Sequence, residues 1–119
     1  MGVKEEIEII DKYWRAANYR TVLDMYLKVD NNGLKRKLQS SDLQKYTKGH
    51  WGTCPGINFI YAHLNHYIKK YHRKIQLVIG PGHGGNALLA NLELEGSVKF
   101  DEIECLIKAF PSIRVHKKC

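Results

Sequence analysis

Ile75-Gln76-Leu77-Val78-Ile79, running directly into Gly80-Pro81-Gly82-His83-Gly84-Gly85, is the stretch on which the fold turns. A short apolar run that is β-branched at both ends has the pattern of a strand buried on both faces of a parallel sheet. The glycine-rich loop follows without a spacer. A helix is then predicted over 86–95, burying Leu88, Leu89 and Leu92. Strand, glycine loop and helix in succession are the parts of an α/β architecture. A single strand cannot make a sheet, however, and one that is apolar on both faces needs neighbours and helices on either side. Val98-Lys99-Phe100 is the one other strand candidate, and it could equally open a helix over 101–110. The predicted fold is therefore α/β but incomplete, mostly helical with one or two buried strands.

Upstream of this stretch, His50-Trp51-Gly52-Thr53-Cys54-Pro55-Gly56 is a loop that ends in helix-start chemistry, with Thr53 or Cys54 as the cap and Pro55 in the first turn. Ile57, Ile60, Tyr61, Leu64, Ile68 and Tyr71 then recur at helical spacing, with Asn58, Asn65, His66, Lys69 and Arg73 on the polar face. At the N-terminus, Val3, Ile7, Ile10, Trp14 and Ala17 form one helical stripe. Glu5, Glu6 and Glu8 sit where they complement the positive helix end. A second helix is predicted after Asn18, with Val22 and Tyr26 on one line and Leu23 and Leu27 on the next. Asp30-Asn31-Asn32-Gly33 stops it. Residues 34–49 are polar and basic, a connecting loop with a short helical turn around Ser41 to Lys45.

The 119 residues suit one domain, and 44% hydrophobic with 26% charged residues places the chain among ordinary globular proteins. No apolar run is long enough for a membrane span, and the charged start Met1-Gly2-Val3-Lys4-Glu5-Glu6 does not read as a signal peptide. Three separated cysteines, Cys54, Cys105 and Cys119, point to reduced thiols and a cytoplasmic location. Nineteen basic residues against twelve acidic ones give a formal charge of +7. Such a surplus favours anionic partners, but its clusters at Lys35 to Lys37 and Lys69 to Lys74 read as solvated surface. Nucleic acid is not the partner expected from charge alone.

The glycine loop admits several chemistries. Gly80, Gly82 and Gly85 satisfy the G-x-G-x-x-G spacing of a dinucleotide site, with Asp101 near the place of a ribose-binding acid. Pro81 would stiffen that turn, and His83 would fill the space a pyrophosphate needs. A small nucleotide-binding or non-catalytic interaction module built on Gly80–Gly85 is thus the alternative function, and a purely structural turn is the bland one. His63 and His66 are three apart on a helix, with Cys54 or His50 in range as a third ligand, but no recognised zinc spacing occurs. No metal ligands are assigned. His50 and His83 differ from the other histidines because each lies in a glycine loop at the end of a buried element, where α/β folds place ligands. Imidazole moves protons near neutral pH, and it also holds loops by bonding to backbone.

Several long motifs occur in a fixed order: Asp11-Lys12-Tyr13-Trp14-Arg15-Ala16-Ala17-Asn18-Tyr19, Gly49-His50-Trp51-Gly52-Thr53 with Pro55-Gly56 and Asn58-Phe59, Ala62-His63-Leu64-Asn65, and Gly80 to Gly85 with Ala87. From about residue 7 to Ser97 the chain resembles the N-terminal region of phosphoketolases, and its two Gly-His loops are also similar to those of transketolases. The resemblance implies part of a thiamine-diphosphate-binding fold, with residues 1–97 as the phosphoketolase-like segment and 98–119 as a divergent tail. It implies an aldehyde-lyase of carbohydrate metabolism that uses thiamine diphosphate and magnesium. Such enzymes cleave ketose phosphates with inorganic phosphate to give acetyl phosphate. His50 and His83 match pocket histidines of that family and become the candidate catalytic pair, for proton transfer or substrate orientation. Gly49, Gly82 and Gly84 would shape the cofactor-binding loops. The Gly-Asp-Gly…Asn motif that holds magnesium and the diphosphate does not occur in these 119 residues, and Asn86 stands where many relatives have proline. The expectation is a phosphoketolase cut short near residue 98 and inactive as an isolated chain. Its partners would be sugar phosphate, inorganic phosphate, and either a second copy or a missing complementary segment. The first and third predicted helices and the strand edge would then be left exposed.

Overall fold

The computed structural model describes residues 1–28, 36–47 and 49–97. Among them are three α-helices, α1 (Val3–Tyr26), α2 (Cys54–Tyr71) and α3 (Gly85–Leu94), with 3₁₀ turns at Ser40–Asp42 and Gly82–Gly84. Each helix packs against the other two. The mostly helical prediction holds, and the details differ in instructive ways.

The two N-terminal helices are one, 24 residues long. Asn18 does not break it, because its side-chain oxygen accepts a hydrogen bond from Asn58 Nδ2 at 2.8 Å. The Thr21 hydroxyl likewise donates back to the Ala17 carbonyl at 2.7 Å. Asn18, which would compete with the helix by bonding local backbone, is committed to α2, and the Thr21 bond stays within the helix. Only the C-terminal end of the predicted stripe is covered. Ala17 is fully buried, Trp14 is half-buried and donates its Nε1–H to the Pro55 carbonyl at 2.9 Å, and Val3 and Ile7 are 74% and 60% exposed.

Helix α2 starts as its sequence predicts, with Thr53 as the N-cap and Pro55 in the first turn. It ends at His72, whose φ of 51° is left-handed, and Arg73 N–H closes the turn onto the Ile68 carbonyl at 3.2 Å. Its polar face is not all outside: Asn58 is completely buried, whereas Ile60, Tyr67 and Tyr71 are exposed. In α3 the residues fully covered are Ala87, Ala90 and Asn91, and the three predicted leucines are half-buried. Alanine at such contacts lets helix backbones approach, which pushes longer side chains to the flanks. Ser97 N–H to Leu92 O and Gly96 N–H to Glu93 O then terminate the helix.

An apolar cluster of Met25, Cys54 and Ala87, with Tyr26, Trp51 and Ile57 against it, joins the C-terminal end of α1 to the N-terminal ends of α2 and α3. Beside it runs a polar seam. Asn91 Nδ2 donates to Asn58 Oδ1 at 2.8 Å, and Asn58 Nδ2 donates to Asn18 Oδ1 and, at 3.2 Å, to Thr21 Oγ1. One amide chain thus stitches α3 to α2 to α1. The 36–47 segment is tied to the end of α1 by the isolated antiparallel bridge between Leu27 and Leu43. There Gln44 Nε2 caps the Asp24 and Leu27 carbonyls at 3.0 and 2.9 Å.

The predicted strand does not form. Residues 75–80 have no ladder partner among the described residues, and Val78 is 80% exposed. A parallel strand exists only through its neighbours. Without them the segment lies across α2, where Leu77, Val78, Ile79, Gly80 and Pro81 line an open groove of about 180 Å³ with Ile57 and Ile60. The second strand candidate, Val98 to Phe100, the Asp30 to Gly33 stop and Asp101 lie outside the described residues.

Candidate functional site

The loops that carry His50 and His83 come together because two helices begin side by side. The turn from Gly49 to Thr53 feeds α2, with Thr53 N–H bonded to the His50 carbonyl at 3.3 Å and Cys54 N–H to that of Trp51 at 3.0 Å. The 3₁₀ turn Gly82–Gly84 feeds α3, closed by Gly84 N–H on the Pro81 carbonyl at 3.0 Å. The loops are joined directly: His50 N–H donates to the His83 carbonyl at 2.9 Å. Their imidazoles stand edge to face with centroids 5.6 Å apart, and both are exposed to solvent.

Glycine is required at two points. Gly49 has φ of +84°, and a Cβ there would collide with the Asn86 side chain and approach the His83 carbonyl oxygen to 3.1 Å. Gly84 is buried, and a Cβ on it would lie 2.5 Å from Ile57 Cδ1 and 3.5 Å from Thr53 Cγ2. These contacts hold the two helix starts at backbone distance. Gly82 is half-buried in the same turn. All five residues singled out in the sequence are therefore in two adjoining loops.

The electrostatics of this end favour anions. Neither α2 nor α3 has a side-chain cap or an acidic residue in its first turn. The positive ends of both dipoles therefore meet no acidic side chain, although the Cys54 and Gly85 N–H groups are taken by the Trp51 and Gly82 carbonyls and Pro55 carries none. Beneath the loops, burial pushes the Cys54 thiol up from its ordinary range, so it stays protonated with Met25 Sδ at 4.0 Å. It is a core residue. Among the described residues no group of three or more His, Cys, Asp and Glu could hold a metal. His63 stacks on Phe59 at 4.5 Å, and His66 faces Glu6 at 3.6 Å, both away from the histidine pair. The dinucleotide spacing of Gly80, Gly82 and Gly85 lacks the strand that such a site needs before it.

Sequence reasoning gave Asn86 no role at the site. Its side chain fills the space over Gly49, a contact between residues 37 apart in the chain that no local pattern reveals.

The family model described as the XFP N-terminal domain matches residues 2–107. The chain is 54% identical over 93 residues to the "Probable phosphoketolase" of Nitrosospira multiformis, covering 78% of this chain and 11% of that protein. It is 56% identical over 93 residues to the "Probable phosphoketolase" of Rhodopirellula baltica, covering 78% and 12%. To the "Xylulose-5-phosphate phosphoketolase" of Lactiplantibacillus pentosus it is 53% identical over 91 residues, covering 76% and 11%. The chain spans about 11–12% of the length of these relatives.

Proposed function

The chain belongs to the phosphoketolase family as its XFP N-terminal domain, and on that premise we propose that the His50–His83 pair forms one wall of a phosphoketolase-type active site. The observation that carries this reading is the direct join of the two loops, with imidazoles 5.6 Å apart over two uncapped helix starts. The reaction served is cleavage of a ketose phosphate with inorganic phosphate to acetyl phosphate. Neutral imidazole offers one donor and one acceptor. Two of them side by side can orient adjacent sugar hydroxyls and take or return a proton there. The positive ends of α2 and α3 would attract a phosphate group.

Thiamine diphosphate fits these residues in part. Two positive helix ends without acidic side chains in their first turns suit its diphosphate, and Gly49, Gly82 and Gly84 would shape the backbone against it. When bound, it supplies the electron sink for breaking the bond beside the ketone. Magnesium finds no donor cluster among the described residues. This supports the reading that the 119-residue polypeptide on its own neither binds the cofactor tightly nor turns over sugar phosphate. The apolar groove beside 75–81 supports the same reading, because it offers a seat for the sheet strands of a phosphoketolase-type polypeptide.

A two-armed experiment tests this. Titration of the 119-residue polypeptide with thiamine diphosphate and magnesium should give no saturable thermal stabilisation at micromolar cofactor; saturable stabilisation would overturn the proposed inactivity. In the second arm the chain is mixed with a phosphoketolase polypeptide lacking the matching segment. Acetyl phosphate formation should appear, and His50→Asn or His83→Asn should cut it roughly 10²–10⁴-fold. Full activity with both histidines replaced would remove the proposed wall.

A further inference from the structure

A cluster of covered charges lies away from the histidines, where α1 meets α3. Arg20 and Asp24 are one turn apart on α1, with side chains 8% and 9% exposed, and Glu93 reaches them from α3. Arg20 Nη1 donates to Asp24 Oδ1 at 2.7 Å, and its Nε donates to Glu93 Oε2. Among the described residues, one guanidinium thus faces two carboxylates in a site largely closed to water. Asp24 Oδ2 is buried there without a hydrogen-bond donor. Among the described residues, the charged groups that act on the Asp24 carboxyl are Arg20 from its own helix and Glu93 from α3. The 36–47 segment, packed at the same helix end, brings the Gln44 amide to the Asp24 carbonyl.

We propose that Arg20, Asp24 and Glu93 form a proton-operated clamp between α1 and α3, tight when Asp24 is protonated and loosened when both carboxyls are charged. A buried ion pair is tolerated when its charges balance, and a second buried carboxylate is not balanced by one guanidinium. Protonation removes that excess and turns Asp24 from a pure acceptor into a donor. Burial pushes the Asp24 carboxyl up to about 6, helped by Glu93 and opposed by Arg20. Because the folded-state value is raised, the stabilisation is fully present below the ordinary carboxylate range and is lost as pH rises through about 6. Helix α3 carries the His83 turn at its start, so the clamp sits on the element that presents that loop.

The test compares melting temperatures of the full 119-residue chain and its Asp24→Asn variant at pH 5 and pH 7.5. At the higher pH the variant should melt several degrees above the unchanged chain, and the gap should narrow at the lower pH. Glu93→Gln should shift the same difference in the same direction. The six histidines are common to all these chains and cancel in the comparison. A gap that is the same at both pH values would overturn the clamp. Should the variants not fold, carbon NMR of the Asp24 carboxyl in the unchanged chain decides: a midpoint near 6 supports the proposal, and one near 3.8 overturns it.

Discussion

Gly49 shows how much one residue can carry here. It combines a left-handed φ of +84° with a position against the Asn86 side chain and the His83 carbonyl, the same oxygen that accepts the His50 N–H. Gly49→Ala is expected to destabilise the chain by about 1–3 kcal/mol in urea titration. Adding Asn86→Gly should recover the part due to collision and leave the backbone part. A loss below a few tenths of a kcal/mol would contradict this account. At this scale the two loops that carry the candidate histidines were readable in the chain, because histidine set among glycines is a local pattern. Asn86 was not, since nothing in its neighbours says that its side chain will cross to another loop.

At the scale of elements, the starts of α2 and α3 were legible, whereas the break expected at Asn18 and the buried faces were not. Pro55 announces α2 by its fixed φ in the first turn, and Thr53 takes the cap position without a side-chain cap bond. Asn58 is different. A periodicity reading assigns it to solvent, yet it is wholly buried because Asn18, Thr21 and Asn91 satisfy its amide. Asn18, the expected helix break, is held helical by that same bond. Each of Asn58→Ala and Asn91→Ala should cost roughly 1–3 kcal/mol, since each strands a buried partner. The double variant should cost less than their sum, with a coupling of roughly 0.5–3 kcal/mol in a double-mutant cycle. Strict additivity would show that the seam is not a single network.

For the whole molecule, the exposed apolar residues matter most. Val78, Ile75, Ile60 and Phe59 are open to solvent around the groove and α2, and Val3 and Ile7 on α1. Such surface, next to a segment with unpaired backbone, invites association. Sedimentation should show concentration-dependent self-association of the 119-residue chain, reduced by Val78→Lys. A chain that stays monomeric at high concentration, and is unchanged by the substitution, would argue against an open docking face. The run at 75–79 is the clearest case of a pattern without its partners: its residues are right for a buried strand, but no ladder is present among the described residues to make it one.

Local chemistry written into the chain was enough for the start of α2, the glycine loops and the family likeness, because each depends on residues a few positions apart. Contacts between distant residues had to be seen in the folded chain. They made α1 continuous, drew Asn58 inside, set Arg20 between two carboxylates, and left 75–80 unpaired. Side-chain burial and strand pairing are properties of neighbours across space, and in a chain whose sheet partners are not among its described residues those neighbours decide the fold.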